Sequence, residues 1–78
     1  MGTILVVDDE PMILSVVEQC LARDGHRVFT ATNGARALSL ARRVNPDLAI
    51  LDINMPGMSG LDVCQQLRED PTLCRILV

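Results

Sequence analysis

The sequence predicts an open α/β domain built on a parallel sheet, with its chemistry at the carboxyl ends of the strands. Strand-type apolar runs alternate with segments of helical periodicity, the pattern of strands joined by helical crossovers. Two of those runs, Ile4-Leu5-Val6-Val7 and Leu48-Ala49-Ile50-Leu51, are each followed by aspartate, giving Asp8-Asp9 and Asp52. If the two runs are neighbouring parallel strands, all three carboxylates emerge at one sheet edge, where open α/β folds hold their ligands. Acids crowded together repel one another and favour a shared cation. Mg²⁺ suits such a site because it takes one or two carboxylates and keeps room for water and a phosphoryl oxygen.

The elements follow in order. Residues 3–7 form a continuous apolar strand, and Pro11, well suited to a first helical turn, opens a helix with Met12, Ile13, Val16, Val17, Cys20 and Leu21 on its inward face. Asp24-Gly25 ends it, with the glycine as a left-handed cap. Residues 28–31 are a short second strand. Asn33-Gly34 then introduces a helix carrying Ala37, Leu38, Ala41 and Val44 inward, and Asn45-Pro46 stops it because the residue before proline avoids the right-handed helical region. The third strand, 47–51, is apolar on both faces and is expected to be central and covered twice. Pro56-Gly57 suits the centre of a type II turn. Ser59 and Asp62 have capping-box spacing ahead of a helix with Leu61, Cys64 and Leu67 inward, running to about Asp70-Pro71. Residues 75–78 read as the opening of a fourth strand.

A chain of 78 residues has room for one domain with a small core, and its 49% hydrophobic content includes a single aromatic, Phe29, so that core is aliphatic. The charged fraction of 22% is ordinary for a folded domain. Net charge is −3, and all seven basic residues are arginine, which argues against direct nucleic-acid binding by this segment. Cys20, Cys64 and Cys74 have neither disulfide nor zinc spacing and are expected as buried free thiols in a reducing cytoplasm. No apolar stretch approaches the length of a membrane span. His26 is expected in a surface loop, Met55 and Met58 in packing roles, and Arg42-Arg43 on a solvated helix face.

Each aspartate also has a plainer explanation. Asp9 or Glu10 would serve as a helix cap, where acids meet orphan amides and the positive end of the dipole. Asp52 resists that reading, because a carboxylate ending a buried strand is costly unless paired. The segments ILVVDDEP (4–11) and PDLAILDINMPGMSGLDVCQQLR (46–68) closely resemble the response-regulator receiver domain of two-component signalling: the acidic pair, the strand-terminal aspartate, Met-Pro-Gly after it, and Gly60 at the start of the next helix. That resemblance implies a flavodoxin-like sheet, of order 2-1-3-4 in this chain against 2-1-3-4-5 in the full family, with strand 5 and helices 4 and 5 absent. It makes Asp52 the phosphoacceptor. Asp8, Asp9, Asp52 and the backbone carbonyl of Asn54 become the holders of Mg²⁺, or of Mn²⁺ in its place.

The resemblance also implies a histidine kinase or phosphotransfer protein as partner, and a cytoplasmic signalling module rather than a turnover enzyme. Receivers usually carry a Ser/Thr after strand 4, and a Lys and a switch aromatic with strand 5; this sequence contains none of them. Residues 1–78 are therefore expected to be the N-terminal portion of a single receiver domain. With a bare hydrophobic edge and face, the chain is expected to dimerise or to depend on a C-terminal segment outside it. The alternative is a pseudo-receiver that binds metal or protein without being phosphorylated. An aspartate-nucleophile phosphatase or phosphotransferase is disfavoured, since Asn54 stands two residues after Asp52 where a further acid would be needed.

Overall fold

The computed structural model describes residues 2–53 and 55–73. Three strands and three helices alternate: β1 (Thr3–Val7), α1 (Pro11–Arg23), β2 (Arg27–Ala31), α2 (Gly34–Val44), β3 (Leu48–Leu51) and α3 (Gly60–Glu69). The strands are parallel in the order β2-β1-β3. Thr3 pairs with Arg27 through to Val7 with Ala31, and Ile4 pairs with Leu48 through to Val7 with Leu51. The fourth strand expected over 75–78 and the thiol of Cys74 lie outside the described residues, so the order shown is 2-1-3.

The strand alternation sends side chains to two faces. On one, Leu5, Val7, Ala31 and Ala49 meet Ala37, Leu38 and Ala41 of α2, Val63 and Leu67 of α3, and Leu73 beyond it. On the other, Ile4 and Val6 meet Leu14 of α1, with Val17, Leu21, Val28 and Leu48 around them. Right-handed crossovers produce this division, because the path reverses after β2 and so changes the face on which the connecting helix lands.

Local signals set most boundaries where expected. Pro11 is at the start of α1, and Gly25, with φ +88°, follows its C-cap. The Asn33 side chain accepts the Arg36 N–H at 2.8 Å and caps α2. Asn45 closes that helix in the left-handed region, φ 49°, which asparagine tolerates better than most residues. Gly57, at φ +77°, fits the position a type II turn reserves for glycine.

Four packing expectations are corrected. Leu14, not the stripe read from the sequence, is the buried residue of α1; Met12 is 81% exposed, and Ile13, Val16 and Cys20 are exposed as well. The helix is apolar around much of its circumference, and the sheet takes up only the side bearing Leu14, Val17 and Leu21. Likewise β3 is not covered twice. Its α1-side residue Ile50 is 40% exposed, since α1 packs mainly over β1 and β2. In α3 the inward residues are Val63 and Leu67, while Leu61 is exposed and Cys64 half-buried. Neither described thiol is fully buried, Cys20 being exposed. His26 lies in the loop between α1 and β2, as expected, and is half-buried there, its Nδ1 accepting the Gly2 N–H at 3.1 Å.

Candidate functional site

The register of β1 with β3 builds the site. Val7 and Leu51 are paired, so the next residue on each strand, Asp8 and Asp52, emerges at the same carboxyl edge. The Asp52 N–H donates to the Val7 carbonyl at 2.9 Å, carrying the β1–β3 ladder one residue past the strand and fixing the backbone of the predicted phosphoacceptor. On the other side, the Asp8 N–H donates to the Ala31 carbonyl at 3.2 Å. The ends of all three strands therefore hold the two aspartate backbones.

Asp8, Asp9 and Asp52 each offer a carboxylate oxygen within 4.8 Å of the others, with Asp8 and Asp52 half-buried and Asp9 exposed. The helix-cap explanation does not account for them. Glu10 is the N-cap of α1 and its side chain makes no capping bond; Asp8 Oδ1 instead accepts the Glu10 N–H at 2.9 Å, which tightens the turn after β1. The donor set fits a hard divalent cation. Mg²⁺ takes oxygen ligands at about 2.1 Å, so two of them lie at most about 4.2 Å apart, within small side-chain rotations of the observed cluster. Asn54, the fourth predicted contributor, lies outside the described residues.

The third wall is the start of α3. Ser59 and Asp62 form the predicted capping box: the Asp62 N–H donates to Ser59 Oγ at 3.3 Å and the Ser59 N–H to Asp62 Oδ2 at 3.1 Å. This brings the helix so close to the site that a Cβ on Gly60 would fall on the Asp52 carbonyl, 2.8 Å from its carbon and 3.2 Å from Ile53 Cα. Gly60 is thus a steric requirement of the loop that follows β3. Met55 is buried and Met58 packs against the core, so both act in packing, as expected.

Sequence reasoning missed the tie at the opposite end of the strands, where the Thr3 N–H donates to Asp47 Oδ2 at 2.9 Å and the Asp47 N–H to the Thr3 carbonyl at 2.8 Å. An acid just before an apolar strand was its only signal.

Residues 4–78 match the response regulator receiver domain. The chain belongs to that family. It is 46% identical over 77 residues to the probable transcriptional regulatory protein TcrX of Mycobacterium tuberculosis, covering 97% of this chain and 33% of TcrX. The receiver thus spans about a third of that relative's length. Among solved structures, the N-terminal domain of a response regulator receiver protein from Methanoculleus marisnigri superposes with TM-score 0.94 at 41% identity, covering 97% of this chain and 62% of that one. TrrA of Thermotoga maritima, solved in complex with Mg²⁺-BeF, gives TM-score 0.84 at 48% identity, with 88% and 60% covered. TrrA has also been solved with the histidine kinase ThkA; that match has TM-score 0.83 at 47% identity, covering 90% and 60%. The receiver fold and its place in two-component signalling are established by these matches.

Proposed function

We propose that this receiver accepts a phosphoryl group on Asp52 with Mg²⁺ held by Asp8, Asp9, Asp52 and the Asn54 backbone carbonyl. The observation that carries the proposal is the convergence of three aspartates from two adjacent strands, with their oxygens within 4.8 Å. An ionised Asp52 oxygen attacks phosphorus; the bond from phosphorus to the donor's imidazole nitrogen breaks, and that nitrogen leaves with the electron pair. The product is an acyl phosphate. When bound, Mg²⁺ supplies neutralisation of the charge on the transferring group, the main demand of phosphoryl transfer. The protein's own contribution is position: the Val7 carbonyl fixes the Asp52 backbone, and the Glu10 amide orients Asp8.

The donor is a histidine kinase or a phosphotransfer protein, supported by the solved ThkA–TrrA pair. The module works in the cytoplasm as a signalling switch, not as a turnover enzyme; no described helix is long and apolar enough to cross a membrane. Self-association is supported by an apolar cleft of about 360 Å³ on α1, lined by Met12, Ile13, Val16 and Val17 with Glu10 at its rim. Exposure of the chain to a small acyl-phosphate donor with Mg²⁺, followed by intact-mass measurement, tests the central reading. One phosphoryl-sized increment is expected. Mg²⁺-dependent stabilisation without any increment identifies the pseudo-receiver instead.

A further inference from the structure

Of the four exposed arginines of β2 and α2, three, Arg27, Arg36 and Arg43, make no ion pair among the described residues, although the chain carries a net charge of −3. Arg27 stands at the start of β2. Arg36 and Arg43 are seven positions apart on α2, about 10 Å along its axis. The two helical arginines line a depression of about 270 Å³ with Thr30, Ser39 and Leu40, and Arg43 shares a second of about 270 Å³ with Arg27 and Phe29. A positive strip therefore runs the length of β2, on the side of the sheet that α2 covers.

The same strand presents backbone groups without partners in the sheet. Among the described residues β2 is an edge strand, paired only with β1. The Arg27 N–H donates to the Gly2 carbonyl at 2.9 Å and the Ala31 carbonyl accepts the Asp8 N–H at 3.2 Å, so residues 27 and 31 point their backbone groups inward. By strand alternation Val28 and Thr30 turn theirs outward. An edge of this kind is a template for an added strand.

We propose that the β2 edge and the adjoining face of α2 dock an extended acidic segment of a partner protein. The segment pairs with the outward groups of Val28 and Thr30 and sets alternate acidic side chains against Arg27, Arg36 and Arg43. Same-face residues of a strand recur about every 7 Å, so acids at three alternate positions span about 13 Å, enough to reach both ends of the strip. Strand addition supplies affinity through the main chain and specificity through alternate side chains. Nucleic acid offers the phosphates but not the alternating N–H and C=O groups that the edge demands. Edge strands are also commonly guarded by charge; here two of the three arginines sit on the helix, where they line the depressions instead of shielding the strand's own edge. The inference is independent of phosphoryl chemistry at Asp52.

The test uses the full chain and a blocked seven-residue peptide with glutamate at its second, fourth and sixth positions and valine or threonine between, followed by fluorescence anisotropy. Saturable binding that weakens with salt is expected. The double variant Arg36→Gln/Arg43→Gln should weaken it at least about tenfold, since two charge-assisted hydrogen bonds are lost. Arg42→Gln on the same helix removes an arginine already paired with Asp70 at 3.4 Å, and should leave the affinity within about twofold. A peptide N-methylated on its pairing edge should lose binding. The proposal is overturned if the peptide does not bind, if Arg42→Gln weakens binding as much as the double variant, if N-methylation has no effect, or if a single-stranded oligonucleotide binds where the peptide fails. Cooperative melting of the variants at the parent's Tm shows that they remain folded.

Discussion

Gly60→Ala isolates the contact between the start of α3 and the loop that carries Asp52. In an exposed helix, alanine would stabilise by roughly 0.5–1 kcal/mol relative to glycine. Gly60 is not in the positive-φ region, so backbone strain does not oppose the change. Space does. The new methyl would meet the Asp52 carbonyl carbon at 2.8 Å and Ile53 Cα at 3.2 Å, and both are backbone atoms that no rotamer change can move aside. Because neither atom can move aside, the upper part of the overpacking range applies, about 2–3 kcal/mol, and after the propensity gain the net loss is roughly 1–2.5 kcal/mol. For a domain of this size that lowers Tm by about 4–20 °C. Relief of the clash also shifts the Asp52 backbone, so the Mg²⁺-induced rise in Tm should shrink in the same variant. Thermal melts with Mg²⁺ and with chelator measure both effects. An alanine variant as stable as the parent, with an unchanged Mg²⁺ shift, would show that the helix start does not constrain the site.

Mg²⁺ should raise Tm by mass action on the folded state, and Mn²⁺ should do the same; Asp8→Ala/Asp9→Ala removes the shift, and a double variant that gains as much as the parent contradicts the metal site. In chelator, Asp9→Ala should melt no lower than the parent because repulsion among the carboxylates is relieved, whereas Asp8→Ala also loses an acceptor for the Glu10 amide, worth about 1 kcal/mol. Asp70 is held below the ordinary carboxylate range first by the Thr72 hydroxyl and amide and then by Arg42. Its stabilisation is therefore complete above the unfolded value of about 3.9 and is lost as pH falls through the lower folded value; the melting difference between the parent and Asp70→Asn should narrow below about pH 4, and a constant difference refutes the assignment. Sedimentation of the 78-residue chain should show self-association at micromolar concentration that Val16→Glu with Ile50→Lys reduces, and a compact parent monomer would contradict it.

Local signals were readable wherever the chemistry is local. Pro11, Asn33, Asn45-Pro46, Pro56-Gly57 and the Ser59/Asp62 box each marked a boundary, because a missing N–H, a left-handed backbone or a capping oxygen acts within a few residues. The candidate site was readable for a different reason: aspartates that end apolar runs must share an edge once the strands are parallel neighbours. What escaped was choice among equivalent faces. In α1, Leu14 with Val17 and Leu21 competes with Ile13, Val16 and Cys20 at similar spacing, and only the position of α1 over β1 and β2 decides between them. The continuous apolar run of β3 suggested cover on both faces, but cover is a property of the helices, and α1 does not extend over Ile50. The closeness of Gly60 to Asp52 and the bond between Thr3 and Asp47 are tertiary contacts between segments whose own sequences give no distance.

The central claim is that Asp52 alone receives the phosphoryl group, because it combines a strand-end backbone held by Val7 with the acids of Asp8 and Asp9 beside it. Peptide mapping by mass spectrometry after treatment with a small acyl-phosphate donor and Mg²⁺, run in parallel on the parent and on Asp52→Asn, addresses it directly. A single increment on the peptide carrying Asp52, absent from a variant that melts cooperatively like the parent, is the expected result; an increment mapped elsewhere, or undiminished in Asp52→Asn, would contradict it.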